Sequence, residues 1–234
     1  MIGRDYILRL IEQVGQVLGV ALSTALKLRE NGQLNEADAV IDAAMQRLFG
    51  LNLEASETLP AETLLALLRL NQPPSPDEPL VANRITAMAR LIEASADVSV
   101  DAGDHELADL QRLKALQLYL AVLTEEEPGF PAAANAVDPL LEQLAERELP
   151  VPVKEQLWRH FEHVGHYAKA EDWMFHLLED EQAGGDVPDR AVFFYQRLMA
   201  LSDEELERGN LPREEVLAGL EQVQAIPRYY SPAE

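Results

Sequence analysis

Apolar residues recur at three- and four-residue spacing along most of this chain, which predicts a succession of amphipathic helices. The longest run goes from Asp5 to Arg29, where Ile7, Leu10, Ile11, Val14, Leu18, Ala21, Leu22, Ala25 and Leu28 fall on one stripe. The Asn31-Gly32 pair stops it. A partner helix follows from Glu36 to Phe49, with Ala37, Val40, Ile41, Ala44, Met45 and Leu48 on one face. Further helices are predicted from Pro60 to Leu70, Leu80 to Ala96, His105 to Thr124, Ala132 to Arg147 (with Pro139 as an alternative start), Val153 to Val164, Ala168 to Glu181, Pro188 to Leu201 and Pro212 to Gln224. Ser202-Asp203-Glu204-Glu205 matches a capping box. No stretch combines strict alternation with β-branched enrichment, so no strand is expected. The prediction is an all-α protein of about ten helices.

The breaks between helices carry a repeated signal. Gly32 and Ala37, Gly103 and Ala108, and Gly165 and Ala170 are each five residues apart, between two apolar-periodic runs. Gly adopts left-handed backbone angles that end a helix tightly, and a small Ala one turn into the next helix lets the pair approach closely. Each copy therefore reads as the turn of a helical hairpin. The pattern resembles the junction of the tetratricopeptide repeat. Gly165, Tyr167 and Ala170 match best, with an aromatic two after the Gly, whereas Leu34 and His105 stand there in the other copies. The copies lie about two 34-residue repeat lengths apart, so the resemblance implies a degenerate array of stacked hairpins.

Asp5-Tyr6-Ile7-Leu8-Arg9-Leu10-Ile11-Glu12-Gln13, Tyr167-Ala168-Lys169-Ala170-Glu171-Asp172-Trp173-Met174-Phe175 and Leu201-Ser202-Asp203-Glu204-Glu205-Leu206 are similar to segments of a family of uncharacterised bacterial proteins. That resemblance implies a bacterial, helical, tetratricopeptide-like protein and transfers no functional residue.

Four prolines between Asn71 and Pro79 predict an extended loop. The domain reading is a hairpin plus short helix over 1–70, a proline-rich loop over 71–79, a helical region over 80–226 and a loose tail over 227–234. One continuous domain over 1–226 is the alternative.

Composition narrows the function classes. The chain has no Cys, which removes disulfides, thiolate metal sites and Cys nucleophiles. Its formal net charge is −22. Phosphate-based nucleic-acid binding and anionic membrane surfaces are both disfavoured. Residues 1–50 hold five basic and six acidic side chains, so this segment is nearly neutral and is the expected place for self-association. Asp5, Arg9 and Glu12 interrupt the first apolar stretch, and Val17 to Leu28 is too short to span a bilayer. A cytoplasmic protein is the expectation.

Candidate chemistry concentrates in one segment. His160, His163, His166 and His176 lie among Glu162, Glu171 and Asp172, residue types that suit a divalent ion. The competing reading puts His160 at the edge of a stripe made by Leu157, Phe161 and Val164, His166 in a turn, and Asp172 with His176 on a helix surface. No HExxH, GxSxG, P-loop or dinucleotide fingerprint occurs. No catalytic, cofactor-binding or metal residue is assigned, and no enzyme is expected. Phe193, Phe194 and Tyr195 are consecutive, so on a helix they cannot all face one core. The expected function is a non-catalytic protein-interaction or assembly module, holding a basic protein segment in an acidic groove. The alternatives are a structural homo-oligomer joined through the N-terminal hairpin, and a metal-dependent enzyme at the cluster between His160 and His176.

Overall fold

A computed structural model describes residues 2–70, 78–123 and 130–226. These residues form twelve α-helices and no strand. In order they are α1 (Ile2–Glu30), α2 (Leu34–Phe49), α3 (Leu53–Thr58), α4 (Ala61–Leu70), α5 (Glu78–Asp101) and α6 (His105–Val122). Then follow α7 (Pro131–Gln143), α8 (Val151–His163), α9 (Tyr167–Leu178), α10 (Val187–Met199), α11 (Asp203–Arg208) and α12 (Arg213–Gln224). The chain divides into two compact units, Met1–Glu148 and Leu149–Glu234.

The three hairpin turns form by one mechanism. Gly32, Gly103 and Gly165 have φ of 74°, 82° and 78°. In each turn the residue after the glycine donates its N–H back five residues: Gln33 to Leu28, Asp104 to Ser99 and His166 to Phe161, all at 2.9 Å. This satisfies helix-end carbonyls that would otherwise lack a donor. Ala37, Ala108 and Ala170 are each fully buried, as close approach of the paired helices requires. The resulting hairpins are α1–α2, α5–α6 and α8–α9. A fourth turn of the same design closes α11. Asn210 takes φ 58° there, and the Leu211 N–H reaches the Leu206 carbonyl.

In the first unit α5 packs against α1, α2, α4 and α6, and α7 lies on α6. Helices before and after 71–79 pack on one another, α4 on α5 and α6 and α2 on α5, and the two compact units meet in sequence at Glu148–Leu149. Residues 71–77 lie outside the described residues, as does the expected tail over 227–234, while Glu78 and Pro79 already belong to α5. Pro139 lies inside α7, which begins at Pro131, a proline suited to a first helical turn. In the second unit α8 and α9 pair, and α10 packs against α9 and α12. Gly219 on α12 allows the last of these contacts. A Cβ there would come within 2.2 Å of the hydroxyl of Tyr195, which is fully buried.

No described helix is long and apolar enough to cross a membrane.

Candidate functional site

The histidine-rich segment does not assemble into a metal centre. His160 is buried on α8 with its ring 5.2 Å from Phe161. His166, in the turn, stacks on the other side of the hairpin junction, 6.2 Å from the Phe161 ring. His176 is exposed on α9 and leans on Trp173 at 5.2 Å, and His163 is exposed at the end of α8. Glu162 is engaged by Arg197 at 2.6 and 2.8 Å, and Glu171 accepts from Tyr195. Among the described residues no group of three or more His, Asp or Glu side chains is placed to hold a metal ion.

The consecutive aromatics separate as helical geometry demands. Phe194 and Tyr195 are fully buried, while Phe193 is 58% exposed. The Tyr195 hydroxyl donates to Glu171 at 2.5 Å. Burial raises the Tyr195 hydroxyl far above its ordinary range, and the adjacent carboxylate adds to the effect.

A polar cluster that sequence reasoning missed joins α3 to α5 and α6. Gln111 on α6 donates to Glu57 at 2.6 Å and to Ser95 at 3.0 Å, and accepts from Ser99 at 2.9 Å. One turn on, the Lys114 ammonium donates to the carbonyls of Ser56 at 2.8 Å, Leu59 at 2.7 Å and Glu57. These are the unsatisfied carbonyls at the end of α3, where a cation is also favoured by the helix dipole. Nearby, Asp38 Oδ1 is buried with no hydrogen-bond donor among the described residues. Burial and then the charge of Glu57 raise the Asp38 carboxyl above its usual range. All three Lys114 hydrogens are taken by carbonyls, so the cluster fastens helices and offers neither a free amine nor an activated nucleophile.

The N-terminal hairpin carries a different kind of surface. On its outer side Val17, Val20 and Ala21 of α1 face Val40, Ala43 and Ala44 of α2 across a shallow groove of about 370 Å³. Gln16 and Arg47 are the polar side chains at its edge. Val20 is 67% exposed, a large fraction for a branched aliphatic side chain flanked by other apolar groups. The groove follows from the stripe that α1 uses to pack. Leu18, Ala21 and Ala25 turn inward, and the neighbouring positions 17 and 20 are left on the rim because the apolar arc of α1 is wider than α2 covers.

No curated protein and no solved structure matches the chain. A family model does, over residues 1–227, and its description is "Family of unknown function (DUF6483)". The match spans both units and every helix described above, and the chain belongs to that family.

Proposed function

We propose that the chain is a non-catalytic assembly module whose joining surface is the outer groove of the N-terminal hairpin. The observation that carries this reading is the exposed apolar rim around Val20, located in a nearly neutral stretch of a chain with net charge −22. Two copies of so acidic a chain repel each other. A contact through residues 1–50, which hold five basic and six acidic side chains, brings little net charge of its own into the joint, and salt screens exposed charges beyond about 8–10 Å. Burying the valine rim then supplies the attraction. The tetratricopeptide-like turns agree with a scaffold of this kind, since stacked hairpins commonly serve as assembly surfaces. A basic partner segment would suit the net charge as well, but that argument rests on charge spread along the whole chain, whereas the hairpin reading rests on a located surface.

The absence of cysteine makes a direct test simple. Val20→Cys carries the sole thiol, and a short bis-maleimide added at micromolar protein is expected to yield a covalent dimer. Leu217→Cys, exposed on α12 of the other unit, is expected to stay monomeric. Equal cross-linking of both, or of neither, contradicts the reading.

A further inference from the structure

Helix α2 carries four charged side chains, and they divide by face. Asp42 is used inside the unit, where it accepts from the Leu53 N–H and from the Gln46 amide, both at 2.7 Å. The Asp38 carboxylate has one oxygen buried. Glu36 and Arg47 are exposed, and neither makes an ion pair among the described residues. They are eleven residues apart, about three turns, so both lie on one side of α2, roughly 16 Å from each other along its axis. Between them on that side stand Ala39, Val40 and Ala43, with the alanines exposed and Val40 half-buried. Val40, Ala43 and Arg47 also belong to the α2 wall of the groove that holds Val20.

From one end to the other this face runs from an acid through a small apolar centre to a base. A second helix of the same sequence fits it in one direction. Turned end for end about a two-fold axis, it sets Glu36 of each copy opposite Arg47 of the other and Val40 opposite Ala43. Glu36 and Val40 are four residues apart, as are Ala43 and Arg47, so a single axis serves both kinds of pair. Alignment in the same direction would set Glu36 on Glu36 and Arg47 on Arg47, which like-charge repulsion disfavours. The alanines let the helix axes approach to the roughly 8–10 Å of packed helices, within reach of the Glu and Arg side chains. An acid in the first turn and a base in the last also suit the helix dipole. The dipole accounts for the sign of each charge, but not for their sharing the face on which the groove opens.

We propose, resting on the self-association through the N-terminal hairpin put forward above, that the joint is an antiparallel two-fold contact of α2 with α2 of a second copy, its direction set by two Glu36–Arg47 pairs. Val20 and Val40 of each copy are covered in the same contact. The occupant is another copy of this chain rather than a basic segment of a different protein, because a basic segment would satisfy Glu36 but oppose Arg47. The apolar centre supplies the attraction. The ion pairs choose the direction, since pairs at an exposed rim contribute little affinity and more specificity.

The test exchanges these charges in the full chain and reads the dimer dissociation constant by sedimentation equilibrium. Glu36→Arg and Arg47→Glu each turn both pairs into like-charge contacts, and each is expected to weaken the dimer by about tenfold or more. Glu36→Arg does so although it lowers the net negative charge, a change that by itself reduces repulsion between acidic chains. The chain carrying both E36R and R47E regains opposite charges at both ends and is expected to recover the parent constant within about threefold. An equimolar mixture of the two single variants is expected to form a mixed dimer of similar affinity. Each exchange also opposes the α2 dipole, an effect within one chain that neither the double exchange nor mixing repairs, so recovered association separates pairing from loss of helix stability. The inference is overturned if Glu36→Arg associates as the parent does, or if the double exchange or the mixture fails to recover association. Where the parent associates and Val20→Glu does not, such a result removes the antiparallel pairing alone. A parent chain that is monomeric throughout removes the groove and the pairing together.

Discussion

The two units bury polar groups by different means. Both contain a fully buried tyrosine whose hydroxyl donates to a glutamate, Tyr119 to Glu93 at 2.9 Å in the first and Tyr195 to Glu171 at 2.5 Å in the second. In both pairs burial raises the carboxyl above its usual range, against the opposing effect of the tyrosine hydrogen bond. Around that shared element they diverge. The first unit satisfies its interior with amide, hydroxyl and backbone partners centred on Gln111 and Lys114. The second relies on ion pairs, Lys154 with Asp180 in the loop after α9 at 2.8 Å and, between α8 and α10, Arg190 with Glu155 and Arg197 with Glu162. The first unit has its charged joint at Arg29 of α1 with Asp97 and Asp101 of α5. A polar network that ends on backbone carbonyls is bound to one arrangement of helices. Ion pairs between partly exposed side chains, as at Arg190–Glu155 and Arg197–Glu162, are screened by salt and contribute less each. The comparison teaches that the first unit's interior polar groups end on buried amide, hydroxyl and backbone partners, whereas the second unit's charged pairs lie nearer its surface, where each contributes less.

The largest expected effect comes from the first unit. Lys114→Met keeps the aliphatic stem but removes the donor from three carbonyls at the end of α3. It is expected to lower stability by about 3 kcal/mol in urea denaturation, the cost of leaving buried acceptors unpaired. If the loss is negligible, the first unit is not held by this network and the contrast between the units fails.

Next is the packing of Tyr195 in the second unit. In Gly219→Ala the new methyl meets the Tyr195 hydroxyl, and the tyrosine, being fully buried, has no free space to move into. An overpacking loss of about 2 kcal/mol is expected, read by the same denaturation experiment. Hydrogen exchange should place the loss in α9, α10 and α12, while α5 and α6 keep their protection.

The smallest effects are in pH dependence, and they have opposite signs at Glu93 of the first unit and Asp180 of the second, while Glu171 of the second unit follows Glu93. Glu93 has a folded value above its unfolded one, through burial first and the neighbouring Asp97 charge second. Its favourable contribution is complete below the ordinary glutamate range and declines as pH rises through the raised value. Glu93→Gln is therefore expected to match the parent in acid and to gain in melting temperature as the pH approaches neutrality. Asp180 is held below the usual carboxylate range, by the Lys154 hydrogen bond first and the Gln182 N–H second. Its contribution is present above the ordinary aspartate range and is lost as pH falls through the lowered value. Asp180→Asn is expected to cost stability at neutral pH and nothing in strong acid. Parallel slopes for the two variants would remove the electrostatic part of the contrast.

Most of the fold was legible in the sequence because it is written locally. Gly32, Gly103 and Gly165 need a left-handed backbone, and Ala37, Ala108 and Ala170 need close contact, so each hairpin is announced within six residues. The helix α3 escaped notice because six residues are too few to show a period. Its one local signal is Asn52, whose side chain accepts the Ala55 N–H. Pro139 looked like a boundary, yet α7 runs through it. The candidate sites were less legible because they depend on register between helices. Nothing in the sequence sets Arg197 against Glu162, or Lys114 at the end of α3. The histidine segment shows the converse, since closeness in sequence there produced no convergence in space. The neutrality of residues 1–50, by contrast, was visible directly and marks the surface on which the proposed function rests.

Light scattering over a wide dilution series tests that function most directly, comparing the parent chain with Val20→Glu and Leu217→Glu. The two substitutions place the same charge at exposed apolar positions, one on each unit. The account predicts that the parent and Leu217→Glu associate with rising concentration while Val20→Glu remains monomeric. A parent chain that is monomeric throughout, or a Val20→Glu variant that associates as the parent does, would contradict it.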